Sequence, residues 1–183
     1  MAIIRAHRGI TPKIHPDAFI AENAVIIGDV EIGAGSSIWY GCVLRGDGNW
    51  IRIGKNTNIQ DGTIVHVNHD PKGDYRETGG GMPCYIGDDV TVGHLALLHA
   101  CTIESSAFIG MRSVVMDLAV VEGGAMVAAG ALVTPRKRVA KGELWGGNPA
   151  KRLRELKPED MEVFAHIGQS YVDLGAAYRA EQS

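Results

Sequence analysis

Four of the chain's seven histidines fall in two short stretches, "TIVHVNHD" (63–70) and "VGHLALLHA" (92–100). His66, His69, His94 and His99 carry imidazole nitrogens, the commonest metal donors and the side chains that exchange protons near neutral pH. Other polar groups are grouped nearby in sequence: Arg45 and Asp47 in "LRGDG", and Asn58, Gln60 and Asp61 in "NIQDG". Neither H-x-x-x-H nor H-E-x-x-H is present, so no single helical turn presents two ligands. These residues make one site only if the fold brings distant stretches together.

The element that positions them is a repeat. Ile20, Ile26, Ile32, Ile38 and Leu44 are spaced by six. So are Ile53, Ile59 and Val65, then Ile86, Val92 and Leu98, and then Ile103, Ile109, Val115, Val121, Val127 and Val133. Small residues recur four positions later, as at Ser36, Cys42, Thr57, Thr63, Ala96, Thr102, Ala107 and Ser113. A period of six fits neither an amphipathic helix nor long strand alternation. It fits a short strand plus a turn, repeated as the sides of a triangular prism whose coils stack at roughly 4.8 Å.

The expected fold is therefore all-β, a parallel β-helix of hexapeptide repeats over 18–134 with a loop inserted at 67–84. A lead-in spans 1–17, a basic connection 135–157 and a C-terminal helix 158–183. Pro158, Glu159 and Asp160 open that helix, because Pro suits a first turn and acids suit an N-terminus. Met161, Phe164, Ile167, Tyr171, Leu174 and Tyr178 recur at helical spacing and are expected against the prism.

Assigning sides shows which residues can meet. Let Ile53, Ile59 and Val65 mark sides A, B and C. If the long loop replaces no side, Ile86, Val92 and Leu98 are again A, B and C, and Leu44 is C of the preceding coil. Arg45, His66 and His99 then form one outward column on side C, each one position past an inward residue. Two histidines one coil apart, about 5 Å between backbones, can share Zn²⁺. His94 lies two positions past Val92 on side B, in a column with Tyr40, Asp61 and Met111. Side B is turned away from side C, so a third ligand from the same chain looks strained. A neighbouring prism in a threefold assembly would present its side B instead. His69, His7, His15 and His166 read as solvated surface residues, and Cys42 and Cys101 as structural.

Composition narrows the function. A formal net charge of -3 leaves no basic footprint for nucleic acid. The longest uncharged apolar stretch, "GGAMVAAGALVTP", is too short to span a bilayer, so no membrane partner is expected. The start, "MAIIRAHRGI", lacks a signal-peptide core. Three scattered cysteines without C-x-x-C point to a reducing compartment, with a cytoplasmic location expected.

"LRGDGNWIRIGKNTNIQDGTIVH", "VTVGHLALLHACTI" and "GNPAKRLREL" resemble the gamma-class carbonic anhydrase family, left-handed β-helix trimers, over roughly residues 10 to 175. The resemblance implies metal ligands His66 and His99 from one subunit and His94 from the next. It implies that Gln60 orients metal-bound water, that Arg45 and Asp47 pair across the subunit interface, and that Asp61 joins that network. It places Asn58 along the site and Tyr171 pointing into it. The cofactor would be Zn²⁺, with Fe²⁺ or Co²⁺ as alternatives, and the substrates CO₂ and bicarbonate. Three neutral imidazoles lower the pKa of bound water to about 7, supplying hydroxide for attack on CO₂. The family's best-known members carry a glutamate where this chain has Gly48 and another near His69; His69 would take over proton transfer. Competing readings are an acyltransferase or thioesterase acting on acyl-coenzyme A, and a trimeric scaffold with a structural metal.

Overall fold

The structure, a computed structural model, describes residues 1–181. Residues 182 and 183 of the expected helix lie outside the described residues. The chain winds as a parallel β-solenoid with three strand columns. Side A runs Ile14–Ile32–Ile53–Ile86–Ile103–Val121–Val139, in which each residue pairs with the next. Side B runs Ile20–Ile38–Ile59–Val92–Ile109–Val127–Trp145. Side C runs Ile26–Leu44–Val65–Leu98–Val115–Val133. Sides A and C merge into one 12-stranded sheet because the strands Val25–Ile32 and Val43–Ile53 continue around the corner between them.

The register follows from what each position must bury. The inward aliphatics of side C, from Ile26 to Val133, are fully buried. The small residues four positions on, such as Ser36, Cys42, Thr57, Thr63 and Ser113, are almost fully buried too. A slip of one residue would turn every aliphatic outward, so register is firmly set. The step from Leu98 to Ile103 is one residue short, and this moves the small slot: Cys101 fills it, buried, while Thr102 is not. Cys101 is thus an inward residue stacked on Cys84, with sulfurs 4.0 Å apart, rather than a turn residue.

Stacking extends past both expected boundaries. Ile3–Arg5 and Lys13–Ile14 pair with Val25–Ile32, so the lead-in already forms strands. Arg138–Val139 and Glu143–Gly146 continue sides A and B within the expected connection. Lys151–Glu155 then turns back antiparallel on Glu143–Gly146. Val139 stands six past Val133 and takes the next side-A slot, and Trp145 takes the next side-B slot, so the repeat runs past its expected end. The inserted loop replaces no side. It carries a short helix, α1 (Tyr75–Thr78), capped by the Asp74 side chain and closed by left-handed Gly79.

The C-terminal helix, α2 (Pro158–Glu181), packs along side B. Phe164 stacks on Phe108 with ring centroids 4.5 Å apart. Tyr171 and Tyr178 meet Trp39 edge-on. Leu174, expected against the prism, is exposed instead. The reason is Gly175, the buried residue of α2, where helix and sheet approach closely. A Cβ there would lie 3.2 Å from Ser37 Cβ and 3.5 Å from Phe19 Cβ. Gly175→Leu should accordingly lower stability by about 1–3 kcal/mol through overpacking, measured by thermal or denaturant unfolding; an unchanged midpoint would mean that α2 is free to lift. Among the described residues no helix is long and apolar enough to cross a membrane.

Candidate metal centre

Arg45, His66 and His99 are direct cross-strand partners in three successive coils of side C. Their rings project outward from a column whose inward residues are fully buried, so the core fixes their spacing. His66 Nδ1 faces His99 Nε2 at 3.2 Å. The outer nitrogens are committed elsewhere. His66 Nε2 lies 3.1 Å from Asp47 Oδ1, and His99 Nδ1 lies 2.5 Å from Asp117 Oδ1. A carboxylate accepts a hydrogen bond, so each outer nitrogen donates, and in the neutral rings each inner nitrogen then keeps a lone pair. Two lone pairs facing each other repel unless a cation lies between them. Two nitrogens bound to one tetrahedral ion at about 2.1 Å each are roughly 3.4 Å apart, close to the spacing seen.

The third histidine repeats the pattern. His94, on side B, is held through Nδ1 by Asp61 Oδ2 at 2.8 Å. That leaves Nε2 as the donor atom, with the Tyr171 hydroxyl 3.5 Å from it. Each of the three rings thus has one carboxylate that fixes its tautomer. Yet among the described residues no three His, Cys, Asp or Glu side chains of one chain gather as a metal site. The donor set fits a metal as two nitrogens on side C plus one on side B, and the halves stand apart within the chain.

Asp117 escaped the sequence reading. It stands two positions past the inward Val115, one coil beyond His99, and the signal that finds it is an acid stacked over the His66–His99 column. It also accepts a hydrogen bond from Asn68 Nδ2 at 3.3 Å, tying the inserted loop to the site. Partners of this kind typically contribute 10–100-fold to metal affinity. Asp117→Asn should weaken binding by about that factor in a chelator competition. Unchanged affinity would leave Asp117 as a loop anchor alone.

The other expected residues divide. Within the chain, Arg45 Nη1 lies 2.5 Å from Asp47 Oδ2, the two residues standing two apart on one outward turn. Burial alone would raise the Asp47 pKa, but hydrogen bonds from Arg45 and His66 outweigh it and hold the carboxyl below its ordinary value. Burial lowers the pKa of His66, Arg45 and His99 reinforce this, and Asp47 opposes it, so the ring favours the neutral form a ligand needs. Asn58 is buried rather than lining an open site. It donates to Thr91 Oγ1 at 2.9 Å and accepts from Gln60 Nε2 at 3.0 Å, so it holds Gln60 in place.

His69 is exposed and shares a cleft of about 710 Å³ with Arg45, Asp47, Gly48 and His66. A Cβ at Gly48 would lie 3.1 Å from His69 Cβ and 3.3 Å from its backbone. The chain at His69 therefore runs close against Gly48.

The description "Bacterial transferase hexapeptide (six repeats)" matches residues 11–46. A relative named "Gamma carbonic anhydrase 2, mitochondrial", from Arabidopsis thaliana, is 49% identical over 94% of this chain and 60% of its own length. A "Carbonic anhydrase" from Geobacillus kaustophilus is 40% identical over 98% of this chain and 93% of its own. A solved structure of a hexapeptide transferase family protein from Anaplasma phagocytophilum superposes with a TM-score of 0.87 at 45% identity, covering 96% of this chain and 98% of that one. The chain spans 60–65% of the length of the mitochondrial plant relatives it matches.

Proposed function

Because the chain belongs to the gamma-class carbonic anhydrase family, we propose that it binds a divalent metal between the subunits of a homotrimer and there catalyses the reversible hydration of CO₂ to bicarbonate. The observation that carries this reading is the pair of ring nitrogens facing each other at 3.2 Å, each with its outer nitrogen on a carboxylate. His66 and His99 of one chain and His94 of the next are the ligands. Zn²⁺ is the proposed ion, and the same donors accept Fe²⁺ or Co²⁺. When bound, the ion supplies the Lewis acidity that makes water a nucleophile at neutral pH.

The chain's own side chains do the rest. Asp47, Asp61 and Asp117 fix the ring tautomers. Gln60, held by Asn58, orients the attacking water. Arg45 keeps Asp47 ionised beside His66. Tyr171, edge-on to Trp39 on α2, lines the His94 side. His69, on the open cleft, takes the proton toward solvent.

Exposed apolar side chains surround both halves of the site. Ile64 and Leu118 flank side C, and Leu95 and Met111 flank His94. A partner subunit would cover such a surface while joining the two ligand sets.

An acyltransferase needs one histidine base with a working nitrogen, whereas here two rings face each other and each is tied to a carboxylate. That arrangement favours a metal. The test is metal analysis of anaerobically purified protein alongside a CO₂ hydration assay and a mass measurement in solution. About one metal per chain in a trimer that hydrates CO₂ is expected. A metal-free or monomeric active protein would overturn the reading. A metallated trimer inert toward CO₂ would move it to a thioesterase or scaffold.

A further inference from the structure

Beside His94, between α2 and side B, lies a cavity of about 360 Å³. Phe108, Met111, Met126 and Ile167 line most of it. Its polar lining groups are Gln60, His94 and Tyr171, with the Tyr171 hydroxyl 3.5 Å from His94 Nε2. Gln60 is braced by Asn58, His94 by Asp61 and Tyr171 by Trp39, so the polar end is rigid. The apolar end is adaptable, because two of its four large side chains are methionines. A three-atom substrate needs little of this space. At about 30 Å³ per water-sized group, the cavity has room for roughly a dozen.

We propose that this cavity takes the aliphatic tail of a small monocarboxylate whose carboxylate lies at Gln60, His94 and Tyr171. Bicarbonate and a carboxylate R–COO⁻ share the same O–C–O group. They differ in that the carboxylate carries an alkyl group where bicarbonate carries its hydroxyl. A head group held where bicarbonate would lie therefore leaves R to enter the apolar arm. The site thus selects for tail length as well as for the head, and takes ligands larger than CO₂ requires. The inference rests on the proposed metal centre for the head group and on the cavity alone for the tail.

The experiment is a calorimetric titration of the metallated protein with acetate, butyrate, hexanoate and octanoate. The series should tighten steadily, with octanoate binding roughly tenfold or more tighter than acetate because each added methylene leaves water. Ala129→Trp would obstruct the apolar wall from an exposed corner, away from the proposed ligands. With folding and metal content verified, it should bring the octanoate-to-acetate ratio close to one and leave acetate binding unchanged. Equal binding across the series in wild-type protein would overturn the proposal while leaving the metal centre standing. An unchanged ratio in folded Ala129→Trp would overturn it as well. Repeating the series on chelator-treated protein separates the two readings. A chain-length dependence that persists in the metal-free protein would support the cavity's role independently of the metal centre, whose own failure would show as no metal uptake by the untreated protein.

Discussion

His66→Ala and His94→Ala proteins should each lose metal, and an equal mixture of the two should regain it at about a quarter of its sites after subunit exchange. Each single change removes one of three protein ligands. The loss should exceed the roughly 100-fold that a supporting carboxylate alone contributes. The recovery follows from geometry. In a closed threefold ring a site lies between one chain's His66 and His99 and its neighbour's His94. An intact site needs a His94→Ala chain on the first side and a His66→Ala chain on the second. Random exchange supplies that ordered pair half of one half of the time. Neither substitution removes a core residue, since both rings stand outside the aliphatic columns. Metal is counted by elemental analysis after exchange is verified by native mass. No recovery would place all three ligands in one chain, against the separation of sides B and C. A His66→Ala and His99→Ala mixture is the internal control: those residues share one face, so it should recover nothing.

The register that supports this experiment was legible from spacing alone. The seventeen expected inward positions from Ile20 to Val133 all stack in the expected columns, because every solenoid side must bury the same slot. The column Arg45–His66–His99 followed directly. What periodicity missed is local. Thr102 lost its slot to Cys101 where a turn is one residue short. Leu174 lost its place to Gly175 because a helix lying on a flat sheet is limited by its closest backbone approach rather than by its largest side chain. Asp117 was missed because it acts across coils, through a ring, and carries no motif. The ends of the solenoid were placed too far inward: Ile14 and Val139 continue the six-residue spacing, whereas Ile4 breaks the spacing and Trp145 breaks the aliphatic type. Stacking hydrogen bonds continue there regardless of side-chain type.

Turnover should be limited by proton release. CO₂ hydration frees a proton that must leave the site, and proton transfer by a positioned side chain typically contributes 10²–10⁴-fold. Position 48 has no side chain to carry it, and a Cβ there would lie 3.1 Å from His69 Cβ and 3.3 Å from its backbone, a tight contact that a shift of a few tenths of an ångström relieves. The remaining route is His69, exposed on the rim of the cleft that also holds His66. An exposed ring away from the ligand pair is a weak shuttle, so mobile buffers such as imidazole should raise the rate severalfold by carrying the proton themselves. His69→Ala should steepen that buffer dependence and approach the wild-type rate at high buffer, since it touches neither ligands nor core. The measurement is hydration rate against buffer concentration at fixed ionic strength, with metal content verified in each protein. A fast rate independent of buffer would show that the proton leaves by another path, and the cleft's other ionisable residues, His7 and Arg8 among them, would then be the place to look. A buffer response identical in wild type and His69→Ala would keep the bottleneck but remove His69 from it.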